Sequence, residues 1–169
     1  SFNVKRMREG ALKGSTMDAT AYFWRDLEDV NLELGAVNMV INETKEKLKL
    51  MNIALSRSQS SPGELDSSLH DINMRLQLMS KQTSGDPLRN EVGEKSTLTI
   101  GNRLWIASFG TINSSYGPTS THKENLAIAK KQLAAMQAEL SQIVNEDIPA
   151  LEKAMKDVKA PPVKGGDLR

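Results

Sequence analysis

Residues 23–55 read FWRDLEDVNLELGAVNMVINETKEKLKLMNIAL, and this stretch decides the fold. Its apolar side chains recur at alternating intervals of four and three residues, and Thr44 is the one polar member of the series. The series comprises Phe23, Leu27, Val30, Leu34, Val37, Ile41, Thr44, Leu48, Met51 and Leu55. Such spacing keeps one face of an α-helix apolar over its whole length. A helix this long spans about 50 Å, so it must pack against other helices along most of that length.

The composition narrows the class of protein. The 22 Lys and Arg residues nearly balance the 21 Asp and Glu residues, which leaves a formal charge of +1 and argues against a nucleic-acid partner. The chain has no cysteine, which excludes disulfides, thiolate metal sites and a cysteine nucleophile. It also has no apolar run of about 18 residues, so we predict no membrane span.

Two breaker sequences delimit the first two helices. Helix one is predicted to begin near Ser15 or Thr16 and to stop at Ser61-Pro62-Gly63. Helix two repeats the four-three spacing from Leu65 to Met79 and ends before Pro87. The charged stretch 88–95 contains a glycine and is predicted to be a loop.

The third helix is the most ambiguous element. Ser96 or Thr97 is a candidate cap. The apolar face would consist of Ile100, Leu104, Ala107 and Phe109. Several β-branched residues and a glycine at its start leave a strand as the alternative.

The fourth helix follows the loop 113–121 and is long. Thr121 with Glu124 fits a capping box, and Thr119 is the competing cap. The apolar series passes from Leu140 to Val144, an additional interval of four. Pro149 predicts a kink, or a restart of the helix capped by Asp147.

These elements predict an all-α fold, an antiparallel up-down-up-down four-helix bundle with long first and last helices and two short middle helices. The start of helix one and the end of helix four should then lie together. We assign 16–160 to the bundle, 1–15 to a linker or docking arm with a short extended piece at 2–4, and 161–169 to a tail. The chain begins at Ser1 without an initiator methionine, which suggests a piece excised from a longer protein.

Motifs that carry chemistry are sparse. Asp66 and His70 share a helix face, but no second pair completes a metal site, so a surface hydrogen bond is favoured. His122 lies beside the predicted cap and is assigned to local packing. The sequence has no Gly-x-Ser-x-Gly nucleophile motif, and Lys164-Gly165-Gly166 does not open a helix as a phosphate loop requires. We therefore predict no catalytic, cofactor-binding or metal-binding residue, and no enzyme activity in this segment.

Adjacent aromatic residues are the candidate interaction site. Tyr22, Phe23 and Trp24 point around more than half of a helix, so one seam cannot bury all three. Phe23 belongs to the seam, while Tyr22 and Trp24 either pack within the bundle or form an interface to a neighbouring domain. Trp105 and Phe109 have the same two alternatives, and packing in the core is favoured for them.

Short motifs in the second half of the chain resemble a known family. They are Thr99-Ile100-x-x-Arg103, Tyr116-Gly117-Pro118-Thr119-x-Thr121, Glu146-Asp147-Ile148-Pro149-Ala150-Leu151-Glu152 and Ala160-Pro161-Pro162-Val163. In this order the chain resembles the C-terminal segment of large bacterial sortilin-like proteins, which are built on BNR (Asp-box) repeats and commonly labelled glycosyl hydrolases. The tail departs from that pattern, because Lys164-Gly165-Gly166 stands where a Pro-Gly-Arg-like ending is expected.

The resemblance implies a non-catalytic helical appendage that follows one or two β-propellers in a periplasmic or extracellular protein. Its partner would be the parent propeller in the same chain. The glycosidase label belongs to the propeller, and this segment contains no Asp-box from which an active site could be carried over. Because the two middle helices together are only about as long as helix one, one end of the rod should contain four helices and the other only the start of helix one and the end of helix four. The alternative is a free-standing helical interaction or sensor module that dimerises through this two-helix portion.

Overall fold

A computed structural model describes residues 13–58, 63–94 and 97–161, and every regular element among them is helical. The elements are α1 (Met17–Ser56), α2 (Glu64–Ser84), α3 (Pro87–Glu91), α4 (Ile100–Ile112), α5 (Ser120–Gln142), a π-helical turn (Ile143–Asp147) and α6 (Ile148–Asp157). The all-α prediction is confirmed. The predicted extended piece at 2–4, most of the arm 1–15, the breaker residues 61–62, the candidate cap Ser96 and most of the tail 161–169 lie outside the described residues.

The 40-residue helix α1 is the spine of the molecule and is about 60 Å long. Its N-cap is Thr16, whose hydroxyl accepts a hydrogen bond from the N–H of Ala19 at 3.2 Å. The apolar series of α1 is buried as predicted, except that Leu34 is only half-buried. Thr44 is also buried, and its hydroxyl donates to the carbonyl of Val40 at 2.7 Å. The polar member of the seam therefore leaves no unpaired donor in the core.

Contacts between α1 and the C-terminal helices show that these two segments run in the same direction. Lys130 pairs with Asp26, and Gln137 donates to Glu33, both across 104 positions of sequence. Further along, Lys47 pairs with Glu152. Partners of two antiparallel helices would become closer in sequence along the rod, whereas these keep an almost constant separation. The predicted antiparallel arrangement of the first and last helices is therefore wrong.

The middle of the chain forms one broken rod instead of two helices lying side by side. Helix α2 runs back along the second half of α1, where Lys45 donates to Ser80. The start of α4 abuts the end of α2, and a Cβ on Gly101 would lie only 2.9 Å from the carbonyl oxygen of Thr83. Helix α4 then continues in the direction of α2 along the first half of α1. The fold is accordingly a rod three helices thick, of α1, of α2 with α4, and of α5 with α6.

Two connections differ from the sequence-based expectation. The first half of the stretch predicted as a loop at 88–95 is helical, because it belongs to the single-turn helix α3. Thr99, instead of Ser96 or Thr97, caps α4, because its hydroxyl accepts the N–H of Asn102 at 3.0 Å. The helical assignment of this segment is confirmed.

The π-helical turn explains the irregular interval in the apolar series of the last helix. Ile143 is fully buried, whereas Val144, the predicted seam residue, is 36% exposed. The next buried residue, Ile148, comes five positions later, and its N–H bonds to the carbonyl of Ile143 across the π-turn. One extra residue is thus absorbed without rotating the apolar face away from the core. Pro149 follows in the first turn of α6, where its missing N–H costs least.

The helix does not restart at Pro149, because the backbone stays right-handed helical at Gln142, Asp147 and Ile148, and Asp147 does not cap α6. Its carboxylate instead accepts a hydrogen bond from Arg75 on α2 at 2.6 Å.

Among the helices of the described residues, none is both long enough and apolar enough to cross a membrane.

Candidate interaction site at the aromatic end

Aromatic side chains concentrate in one half of the rod. Of the seven in the sequence, Phe2 lies outside the described residues. The other six belong to the first turns of α1, to α4 and to the loop 113–119, and we call this half of the rod the aromatic end. These six are Tyr22, Phe23, Trp24, Trp105, Phe109 and Tyr116. The opposite half, built from the end of α1, from α2 and from α6, has no aromatic residue among its described positions.

The three adjacent aromatics of α1 have three different environments. Phe23 is buried in the core. Trp24 is half-buried and packs edge-on against Phe23, with ring centroids 6.5 Å apart and an interplanar angle of 77°. Tyr22 is 67% exposed, and the guanidinium carbon of Arg25 lies 5.9 Å from its ring centroid. Tyr22 is therefore the most exposed member of the predicted interface, with the Arg25 guanidinium beside its ring.

Packing in the core, the favoured alternative for Trp105 and Phe109, is wrong. The two side chains are 61% and 54% exposed, and they stack on each other with centroids 4.9 Å apart and an interplanar angle of 9°. Ile112, one turn further on, is 66% exposed. The side chains that α4 buries are Ile100, Leu104, Ala107 and Thr111.

A signal for this outcome was present in the sequence. Continuing the four-three spacing from Ile100 through Ala107 selects position 111, a threonine, and not the larger Phe109. The Thr111 hydroxyl donates to the carbonyl of Ala107 at 2.7 Å, so the buried hydroxyl is not left without a hydrogen-bond partner. Side-chain size favoured Phe109 for the core, and helical geometry decided against it.

The chain enters the rod at the aromatic end. The N–H of Ser15 donates to the carbonyl of Tyr116 at 2.8 Å, and its hydroxyl lies 3.4 Å from the carbonyl of Pro118. Gly117 between them has φ +79°, and a Cβ there would lie 2.6 Å from the Thr20 hydroxyl. The end of α6 lies near the end of α1, at the other end of the rod. The expectation that the start of the first helix and the end of the last lie together is therefore wrong.

Both histidines have local roles or lie at the surface. Thr119, the competing cap, is the N-cap of α5, and the predicted box of Thr121 with Glu124 is not formed. The N–H of Thr119 donates to Nδ1 of His122 at 3.2 Å, and the His122 N–H donates to the Thr119 hydroxyl at 3.4 Å. His122 is thus part of the cap, as local packing predicts. His70 is exposed.

Asp66, the proposed neighbour of His70, instead accepts a hydrogen bond from the N–H of Gly63 at the start of α2. Among the described residues, no three or more His, Asp or Glu side chains are grouped closely enough to hold a metal ion.

Arg75 links α2 to the C-terminal helices. It bonds the carboxylate of Glu139 at 3.1 Å and that of Asp147 at 2.6 Å. Partial burial lowers the pKa of Arg75, but the hydrogen bonds and charges of Glu139 and Asp147 outweigh that effect, and the net change in the pKa is upward. Each charge in this cluster has an opposite charge beside it. The two ion pairs therefore act as a clamp that holds α2 against α5 and the π-turn.

A groove of about 730 Å³ lies where α2, α4 and α5 meet, and Lys81, Thr99, Arg103 and Met136 are among its lining residues. Arg103 donates through Nη1 to the side-chain oxygen of Asn125 at 3.1 Å. Its Nε is buried without a hydrogen-bond partner in the described part of the chain.

A scan of family models, a search of curated proteins and a search of solved structures each find no match to this chain.

Proposed function

We propose that this chain is a non-catalytic helical appendage that docks through its aromatic end onto the part of the protein that precedes it. The observation that carries the proposal is the position of Tyr22, which is 67% exposed and lies about two helical turns beyond Ser15, where the chain enters the rod. Aromatic rings presented at a domain boundary dominate contact energies when a partner covers them.

In the context that we propose, the preceding part is the β-propeller of an exported sortilin-like BNR-repeat protein in the bacterial periplasm or outside the cell. Support comes from the positions of the residues that carry the resemblance. Thr99 caps α4, Gly117 makes the turn that receives Ser15, and Pro149 follows the π-turn. Each of these residues meets a local structural demand, as the signature of a helical segment should. Any glycosidase activity then belongs to the parent propeller.

The shape of the rod suggests what docking accomplishes. The chain enters at the aromatic end and leaves about 60 Å away, because α1 and α5 are parallel. A docked aromatic end therefore projects the other end, with its exposed charges, away from the propeller. The segment serves as a rigid spacer that presents its distal end to a further partner.

Limited proteolysis of the full-length parent protein tests the docking. Tyr22→Ala removes an exposed ring without opening the core, so cleavage near residues 12–16 should become faster while the helix content is unchanged. Trp24→Ala should have the same effect at the junction. Leu50→Ala is the matched control, because Leu50 is a partly exposed apolar residue of the same helix in the opposite half. Equal cleavage rates in the Tyr22→Ala variant and the unmodified protein would contradict docking at this end.

A free-standing interaction module is the second candidate. The exposed aromatic pair on α4 favours it, because Trp105 and Phe109 form an apolar surface that no described residue covers. Self-association of the isolated chain is the property that this candidate requires.

A further inference from the structure

Three neighbouring side chains on the outer face of α4 form a continuous apolar surface, which we call the α4 stripe. Its members, Trp105, Phe109 and Ile112, follow one another at helical intervals of four and three, and all are more than half exposed. Leu98, 46% exposed, lies just before the helix. Single exposed apolar residues are ordinary on protein surfaces, but a contiguous aromatic patch indicates a binding surface.

The size of the stripe suits a small interface. Aromatic side chains present on the order of 150–250 Å² each. At the observed exposures the stripe with Leu98 therefore offers roughly 400 Å² of apolar surface. Two such faces and their polar rims would bury roughly 1,000 Å², which is the lower limit for a specific interface. An interface of this size makes a weak, concentration-dependent complex.

The charge distribution favours a second copy of this chain as the occupant. Arg103 is the one ionisable residue of α4, and it reaches Asn125 on α5 instead of the stripe. The stripe itself is uncharged, and the whole chain has a formal charge of only +1. Neither local nor long-range repulsion therefore opposes contact between two copies.

We propose that the α4 stripe is a two-fold interface through which two copies of this chain associate. In a two-fold pair of antiparallel α4 helices, Trp105 meets Phe109 of the partner subunit, and the same contact recurs on the other side of the axis. Each stacked pair thus completes a cluster of four aromatic rings. The proposal is independent of docking in the parent protein, because it concerns α4 and association between chains.

Sedimentation velocity of the 169-residue chain from about 1 μM to about 1 mM tests the proposal. The sedimentation coefficient should rise with concentration. Trp105→Glu and Phe109→Glu should each weaken association about thirtyfold or more, because an aromatic anchor is replaced by a charge that the interface would bury against an aromatic ring. Leu32→Glu is the matched control, since Leu32 is a 68% exposed apolar residue that lies on α1 instead of the stripe. Circular dichroism verifies that each variant keeps its helices.

Charge complementation tests whether the stripe meets itself. Trp105→Glu and Phe109→Lys should each be monomeric alone, and mixing them should restore association above the level of either variant, because position 105 of one copy meets position 109 of the other. A chain that stays monomeric at about 1 mM overturns the proposal, and so does a dimer that persists in both the Trp105→Glu and the Phe109→Lys variants.

A further outcome would assign the stripe to a different occupant. In a Trp24→Phe background, the emission of Trp105 reports its environment directly. If removal of residues 1–12 shifts this emission to longer wavelength in a monomeric chain, the stripe is covered by its own N-terminal segment, and the two-fold interface is excluded.

Discussion

Glu152 lies 2.8 Å from Lys47 across the rod, and the two residues are 105 positions apart in the chain. Nearer the aromatic end, Asp26 and Lys130 are separated by 104 positions and lie equally close. The difference of one residue is the residue that the π-turn at 143–147 inserts between these two ion pairs. The turn therefore keeps two parallel helices in register over the length of the rod.

Deleting Val144 should convert the π-turn into continuous α-helix. The interval from Ile143 to Ile148 then becomes four, and the apolar face stays on the core. Pro149 would then lie inside a continuous α-helix, where its ring clashes with the carbonyl four residues earlier. The deletion alone should therefore lower the free energy of unfolding by about 3 kcal/mol. Combined with Pro149→Ala, the deletion should return stability to within about 1 kcal/mol of the unmodified protein. Chemical denaturation measures both values.

Deletion of Ala134 is the control for this prediction. Ala134 is an exposed residue of regular α-helix, so its loss rotates every later side chain by about 100° about the helix axis. We expect a loss of about 3 kcal/mol or more. If the deletions of Ala134 and of Val144 with Pro149→Ala are equally harmful, the π-turn is not an inserted residue.

Two helical glycines should respond oppositely to alanine. A Cβ on Gly110 would lie 2.2 Å from Nε2 of His122, whose ring is held by the cap at Thr119. Gly110→Ala should therefore destabilise the protein by about 1–3 kcal/mol. A Cβ on Gly35 would meet nothing within 4 Å, so Gly35→Ala should stabilise it by about 0.5–1 kcal/mol. Thermal and urea unfolding measure both changes.

His122→Ala provides the internal check on the glycine pair. In the Gly110→Ala background it removes the clashing ring, so it should recover part of the lost stability despite the weaker cap. A Gly110→Ala protein that is as stable as Gly35→Ala would show that the His122 ring moves aside freely.

Replacing Arg75 with methionine should lower stability by about 1 kcal/mol, since two partly exposed ion pairs are lost and the aliphatic stem is kept. The Lys49→Met variant is the matched control, because its pair with Glu46 is largely exposed and should contribute little. Urea denaturation compares the two. Equal losses would mean that Arg75 is not a clamp between α2 and the C-terminal helices.

The turn after α2 predicts that the stability of the folded protein decreases at acid pH. A hydrogen bond from Lys81 lowers the pKa of Asp86 below its ordinary value of 3.8. A carboxyl with a lowered pKa in the folded state stabilises the protein above its unfolded pKa, and this contribution is lost as the pH falls through the folded pKa. Lys81→Ala should therefore raise the pKa of Asp86, as measured by carboxyl ¹³C NMR titration. An unchanged titration would exclude the ion pair in solution.

Helix-level features were predictable because they depend on local chemistry. The buried face of α1 follows from four-three spacing, and the ends of α1, α2 and α5 follow from Thr16, Gly85 and Thr119 as caps or breakers. The exposure of Trp105 was predictable in principle, since it lies one position past buried Leu104. The expectation that a large aromatic residue belongs in the core favoured a buried position for Trp105 instead.

The sequence by itself determined that this protein is helical, where its long helices lie and which face of α1 is buried, because an α-helix repeats every 3.6 residues regardless of its surroundings. Only the tertiary structure decided the directions of the helices, since an apolar seam has the same spacing when read from either end. The tertiary structure also decided which of two neighbouring apolar residues, Ile143 or Val144, is buried. Their helix propensities are similar, and only the register against α1 places Ile143 in the core. The end-to-end packing of α2 and α4 likewise depends on a backbone contact between Gly101 and Thr83, eighteen positions apart, that no local pattern encodes.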